Sequence, residues 1–366
     1  MNNKKTNSYG KLLVFFLVAV ILVLSFGFVA DGWQPSTSKN ENSGNADGNN
    51  GFFQNGEVDN NKFQEGNVYI PEHISPLTGL ESEELTSTRA PLAISMSTAT
   101  ALYGISYADM LIEFPIENGD TRFLLMTTDY EKLGKIGSIS PTRAYISTIS
   151  KAFGTILVSN GDDDKKSYPS AAASALRFDL SAVPGYHYTE YNQFAYTNGD
   201  LLLCALSNSG LLQAETAISL PYSFATYGEE ISGSISASSV SLPYSQGKET
   251  ELIYSQADRT YTMAKSGTAL HDMLNDKTPK FKNAFILFAD TTTYETQDGT
   301  HLVMNSIGSG AGYYVTMGTA TPITWTVTEN GQMTMYDANG SILTANRGTT
   351  YIGFFKSSWI NENLIK

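Results

Sequence analysis

Cysteine is almost missing from this chain. A single residue, Cys204, among 366 excludes any disulfide within the protein. Histidine is scarce as well. His73, His187, His271 and His301 are the only four, and no two stand at a short metal-binding spacing; a zinc site with both histidines on one helix places them about four residues apart. No metal and no cofactor are therefore expected. Charged residues make up only 16% of the chain, and bases are the minority, 23 against 36 acids. Three of those bases, Lys4, Lys5 and Lys11, fall in the first 30 residues, which hold no acid, so the remainder carries 20 bases against 36 acids. A body of that sign is repelled by phosphate backbones, which excludes a nucleic-acid partner; anionic wall polymers meet the same repulsion away from a local basic pocket.

Long apolar runs are also missing, with one exception. Leu12 to Ala30 is a continuous apolar stretch preceded by the three lysines. At ~1.5 Å per helical residue its roughly 19 residues reach about 28 Å, close to the thickness of a hydrocarbon core. Residues 1–30 are expected to form a single N-terminal transmembrane helix, with the lysines in the cytoplasm and the rest of the chain exported. The alternative is a cleaved signal and a secreted body; Ser25 and Gly27 supply small residues for cleavage, but Phe28 and Val29 continue the apolar stretch.

What remains is aromatic-rich, with 21 Tyr and 18 Phe, and suits a folded body. Residues 31–70 do not share this composition. They are rich in Asn, Gly and Ser without apolar periodicity and read as a disordered stalk. From there the expected fold class is α+β, with a mixed α/β domain over 71–231 and a mostly antiparallel β domain over 232–360. In the first, Leu92 to Met96, Met110 to Phe114, Arg122 to Met126 and Thr155 to Val158 read as strands, and Thr142 to Phe153 and Ala171 to Phe178 as helices. In the second, short alternating segments are separated by turns such as Asn330-Gly331 and Asn339-Gly340, which tolerate positive φ in tight hairpins.

Chemistry-bearing patterns are sparse. Ser36-x-x-Lys39 with Lys265-Ser266-Gly267 imitates a penicillin-binding signature, but Ser36 lies in the stalk and no Ser-Asp-Asn element intervenes. Gly308-Ser309-Gly310-Ala311-Gly312 has neither nucleophile-elbow nor dinucleotide spacing and reads as a turn. Asn160-Gly161-Asp162-Asp163-Asp164 lacks the closing glutamate of a calcium loop and reads as a solvated acidic loop. His271-Asp272 offers an acid/base pair, yet neighbours on a strand face opposite ways. Cys204, in the run Leu201-Leu202-Leu203-Cys204-Ala205-Leu206, reads as a small buried hydrophobe rather than a catalytic thiol.

The stretch from Ala108 to Phe123, followed by Lys135-Ile136-Gly137 and Pro141-Thr142-Arg143-Ala144-Tyr145, resembles the YerB-like family of bacterial envelope lipoproteins, a domain of unknown function with separate N- and C-terminal halves. Pro76-Leu77-Thr78-Gly79 and Arg89-Ala90-Pro91-Leu92-Ala93 match its opening. Its C-terminal half is matched by Gly267 with His271-Asp272, by Ile307-Gly308-Ser309-Gly310, by Thr324-Trp325, and by Asp337-Ala338-Asn339-Gly340 leading to Gly348-Thr349-Thr350-Tyr351-Ile352. The resemblance runs from about Pro76 to Phe355. Two segments depart from it. The family's Gly-Pro-Val-Arg-Ser-x-Arg is Gly137-Ser138-Ile139-Ser140-Pro141-Thr142-Arg143 here, and its Pro-His-Asn-aliphatic-Tyr-Thr is Asn192-Gln193-Phe194-Ala195-Tyr196-Thr197. No cysteine follows the apolar run as the acylated residue of a lipoprotein does.

The resemblance implies an envelope protein and no stated activity. The expectation is a non-catalytic envelope binding or assembly module whose partner is a cell-wall component or an envelope protein, with the membrane reached through the N-terminal helix. The rival is an envelope hydrolase or transferase working by carboxylate acid/base chemistry. The expected ligand-binding polar cluster comprises Asp109, Glu113, Arg122, Arg143, Tyr196, His271 and Asp272, of which the rival enzyme would use Glu113, Arg122 and Arg143, with Arg122 expected to meet Glu113 or Glu117.

Overall fold

A computed structural model describes residues 63–64 and 68–366, apart from 163–168, 191–193, 215–216, 297–298 and 362. The apolar run at 12–30 and most of the stalk lie outside the described residues. Where the stalk segment is described, it is paired rather than disordered: Phe63–Gln64 runs antiparallel to Val68–Tyr69. Among the described residues, no helix is long and apolar enough to cross a membrane.

The chain is mostly β. Strands β1 (Leu92–Ser97), β2 (Met110–Pro115), β3 (Thr121–Thr127) and β4 (Ile136–Ile139) precede helix α1 (Ala144–Ala152). Then come β5 (Ile156–Ser159), β6 (Phe194–Thr197) and helix α2 (Gly199–Asn208). A meander follows, built of β7 (Ser239–Ser245), β8 (Lys248–Ser255) and β9 (Thr260–Lys265). The chain continues with β10 (Asn283–Ala289), β11 (Gly308–Thr316), β12 (Thr319–Val327), β13 (Met333–Tyr336) and β14 (Thr350–Lys356).

One 14-stranded mixed sheet dominates, running from Ile235–Ser236 through β12, β11, β10, β14, β2, β3, β1, β4 and β6 to Tyr188–Glu190. β14 lies parallel between β10 and β2, pairing Phe285 with Ile352 on one side and Ile352 with Ile112 on the other. The two sequence halves thus contribute to the same sheet. Every residue of β2 and of β10 is buried, which explains why both are apolar apart from Glu113 and Asn283, since a strand covered on both faces needs no polar alternation.

The two faces of β2 bury different layers. Met110, Ile112 and Phe114 pack with Tyr145, Ile146 and Ile149 of α1. Leu111 joins the opposite core with Leu242, Tyr244, Leu252 and Met263 from the β7–β9 meander and with Leu202 and Leu206 of α2. The sheet is therefore sandwiched between α1 on one side and the meander with α2 on the other. Asn198 caps α2, its side-chain oxygen accepting from the Leu201 N–H at 2.9 Å.

Three local expectations are corrected. Ala171 to Phe178 is not one helix: a single turn spans Ser170–Ala173, and Arg177–Asp179 is a strand parallel to β5. Gly308 to Gly312 is not a turn but the first half of β11. Gly310 and Gly312 answer to packing: a Cβ on Gly310 would lie 2.3 Å from the Phe288 carbonyl oxygen and 2.6 Å from the Trp325 indole nitrogen, and one on Gly312 would lie 2.4 Å from the Ile286 carbonyl oxygen. Cys204 is exposed rather than buried; Leu202, Ala205 and Leu206 take the inward face of α2 and leave Cys204 outside it. The Asn330-Gly331 turn does join two paired strands, β12 and β13.

Candidate functional site

Glu113 stands on the central strand of the sheet and is completely buried, on the face covered by the meander. Alternation along β2 puts it there between Leu111 and the strand end. A carboxylate in such a place needs donors for both oxygens, and it has them. Lys265, at the end of β9, donates to Oε1. Tyr351 on β14 donates its hydroxyl to Oε2 at 2.7 Å, and Thr250 on β8 approaches both oxygens at 2.9 Å. Lys265 Nζ also bonds Thr121 Oγ1 at 2.9 Å and Thr250 Oγ1 at 2.8 Å, and sits 5.5 Å above the Tyr244 ring. Burial and then the Glu113 charge push the hydroxyls of Tyr244 and Tyr351 well above the ordinary tyrosine range. Both stay protonated, so Tyr351 remains a donor to Glu113 and Tyr244 donates to the Phe354 carbonyl at 3.2 Å.

The turn after β2 carries the second acid of the stretch. Glu117 is held by a two-pronged contact from Arg143, with Nη2 to Oε2 at 2.8 Å, and its Oε1 accepts the Leu302 N–H at 2.7 Å. His301 Nδ1 lies 3.4 Å from the same oxygen. Burial opposes ionisation of Glu117, but the hydrogen bonds and charge of Arg143 outweigh it and hold the carboxyl below its usual range. Arg143, just ahead of α1, is thus the arginine that grips this turn. Arg122 donates instead to the Pro141 carbonyl at 2.7 Å, and Glu113 is met by a lysine. From the meander side Lys248 reaches Asp120 at 2.7 Å. The 113–122 segment is a junction, tying the helix layer, the sheet and the meander together.

The other expected residues lie apart from it. Asp109 precedes β2 and accepts the Thr128 N–H at 3.2 Å; burial pushes its carboxyl above the usual range despite that bond. Asp272 is fully buried and takes four donors, the N–H groups of Gly104, Ser106 and Leu274 and the Ser106 hydroxyl, at 2.9, 2.9, 2.8 and 2.6 Å. His271 beside it is exposed, 3.6 Å from Asp276. This pair fixes a loop and does not form an acid/base couple. Tyr196 is found elsewhere again, on β6, buried beside Tyr103 and Tyr188.

Lys265, Thr250 and Tyr351 are the partners that reading along the chain could not supply, because they stand 152, 137 and 238 residues from Glu113. Among the described residues, no group of three or more His, Cys, Asp or Glu side chains could hold a metal ion. The Glu113 cluster is filled by its own donors and faces no second carboxylate among them. Its chemistry is that of a brace.

Residues 77–207 match the N-terminal domain, and residues 240–352 the C-terminal domain, of the protein of unknown function DUF3048. YerB of Bacillus subtilis (strain 168), which carries the name of a lipoprotein, is 27% identical over 248 residues, covering 64% of this chain and 73% of that one. The crystal structure of the YerB protein from Bacillus subtilis is similar with a TM-score of 0.63 at 24% identity, over 77% of this chain and 96% of that one. The structural likeness speaks for the fold.

Proposed function

Because this chain belongs to the DUF3048 family, a protein family of unknown function that includes a relative named as a lipoprotein, we propose that it is an extracytoplasmic binding or assembly module of the cell envelope, tethered to the membrane and without catalytic activity of its own. One observation carries the non-catalytic reading. The carboxylate of Glu113, the most deeply placed acid on the central strand, has both oxygens taken by Lys265, Tyr351 and Thr250. A general acid or base needs a lone pair or proton turned toward substrate, and here each is turned toward the protein. The tether rests on the apolar run from Leu12 to Ala30 with its preceding lysines.

The test is a pull-down with the full-length chain in non-ionic detergent, against isolated wall material and against membrane proteins. A saturable partner recovered chemically unchanged by mass spectrometry is the expected result. Wall fragments that acquire new ends or lose groups during incubation would establish an enzyme and end the proposal. Intact 12–30 in the mature membrane-bound chain is the expected mass-spectrometric signature of the tether; a soluble chain beginning near Phe28 shows cleavage instead.

A further inference from the structure

Tyr196 lies away from Glu113, Glu117, Asp109 and Asp272, on the strand β6 beside two further tyrosines. The ammonium of Lys135, at the entrance to β4, lies 4.0 Å from the ring centroid of Tyr103, 4.4 Å from that of Tyr196 and 6.0 Å from that of Tyr188. Tyr103 stands edge-on to Tyr196 at 5.8 Å, and Tyr188 lies nearly parallel to Tyr196 at 6.1 Å. Three rings thus present faces or edges around one cation.

The walls are fixed from behind. Tyr103 N–H donates to the Gly137 carbonyl and Gly137 N–H donates back to Tyr103 at 3.1 Å. Tyr196 is paired with Gly137 on one side and with Tyr188 on the other. The carboxylate of Asp272 anchors Gly104 and Ser106, directly after Tyr103. Tyr103, Tyr188 and Lys135 are half-buried, so the cluster opens to solvent, with Tyr196 as its floor.

Ring faces carry the negative end of the aromatic quadrupole, and several of them around one point stabilise an ammonium group better than a single ring does. A chain with a net charge of −13 also draws cations toward itself and repels anions. We propose that Tyr103, Tyr188 and Tyr196 form a binding site for an alkylammonium group borne by an envelope ligand, and that Lys135 is the resident cation which that ligand displaces. This rests on the reading of the protein as an envelope-binding module and supplies the chemical class of its ligand.

The probe is tetramethylammonium, titrated into the full-length chain in non-ionic detergent and followed by tyrosine fluorescence. Removing the resident cation with Lys135→Ala should tighten binding by about tenfold over the wild type. Adding Tyr103→Leu to that variant should weaken it by about tenfold, whereas Tyr103→Phe, which keeps the ring face, should preserve it. Tyr103 is half-buried at the rim, so Tyr196 and the strands behind it stay in place in both variants. Equal affinity in wild type and Lys135→Ala, or no loss with Tyr103→Leu, overturns the proposal. Free choline and glycerophosphocholine, the soluble form of the lipid headgroup, are the two further arms: binding of choline alone marks a free ammonium alcohol, binding of both a lipid headgroup, and binding of neither overturns the site. Failure of all three probes while wall or membrane-protein capture persists removes the cage and leaves the envelope-binding reading standing. Loss of capture with tetramethylammonium still bound does the reverse.

Discussion

The hydroxyl of Tyr351 reaches Oε2 of Glu113 by lying across Gly353, the residue paired with Glu113 in the parallel register of β14 and β2. A Cβ at position 353 would stand 2.6 Å from that hydroxyl and 3.0 Å from Leu242 Cδ1. Gly353→Ala should therefore cost ~1–3 kcal/mol as an overpacked core site. Tyr351→Phe should cost about 1.5–3 kcal/mol, the usual range for a hydrogen bond to a charged group. The two losses share one cause, so urea denaturation of the double variant should show less than their sum. Strict additivity would mean that Gly353 does not serve the Tyr351 contact.

Lys265 is the charged partner that the meander brings to Glu113. Lys265→Met should leave the carboxylate buried without its cation, a change that typically costs ~3–5 kcal/mol. The lysine keeps 24% of its side chain exposed, so the lower end applies. Adding Glu113→Gln should restore much of the loss, since the amide needs no counter-charge. If the double variant is no more stable than Lys265→Met alone, the pair is not what couples the two layers.

Acid should weaken the turn at Glu117 and not the start of β2. Glu117 is held below the ordinary carboxyl value of 4.5 in the folded state, so its contribution is complete above that value and is lost as pH falls through the lower folded pKa. Glu117→Gln should flatten this acid limb in Tm measured against pH. Asp109 has the opposite sign: its folded pKa is raised above 3.8, so its charged form destabilises the fold as pH rises through the raised value. Asp109→Asn should raise Tm at pH 7 and leave it nearly unchanged at pH 3; a lower Tm at pH 7 would show that the charge itself is needed.

Residues 62–366 form one compact unit, and β14 of the second half is hydrogen-bonded between β10 and β2. A single calorimetric transition is expected, with calorimetric and van't Hoff enthalpies equal. Protease cleavage in the exposed stretch near Ser232 should give a nicked protein that still migrates as one body under native conditions. Two separate transitions would show that 71–231 and 232–360 fold independently.

Strands of the main sheet such as Met110–Pro115 were readable because burial on both faces leaves a run that is apolar except at Glu113. Short elements were not. The small residues of Ala171 to Ala173 suit a helix, but only a single turn forms before the chain joins β5 as a strand at Arg177. Gly310 carried a turn-like composition for a reason that lies in a neighbouring strand, the close approach of Phe288 and Trp325. In the candidate site, Glu113, Arg143 and Asp272 could be picked out, but their roles depended on partners that no local pattern announces. Glu117 and Arg143 meet across 26 positions, while Asp272 and Gly104 meet across 168. Lys135 stood in plain view within Lys135-Ile136-Gly137, yet the rings around it come from three separate segments.

The position of β14 bears on how the protein is made. Its residues, 350–356, leave the ribosome after both of the strands between which they fill a slot. Until they arrive, Met110–Pro115 has a neighbour on one edge only, and its other edge offers unpaired backbone groups beside side chains that are all apolar except Glu113. Closing the sheet brings together residues some 240 positions apart, and non-local pairing of that kind slows folding. The nascent body therefore passes through a sticky, half-closed stage whose length is set by the rate of synthesis, during which assembly competes with aggregation.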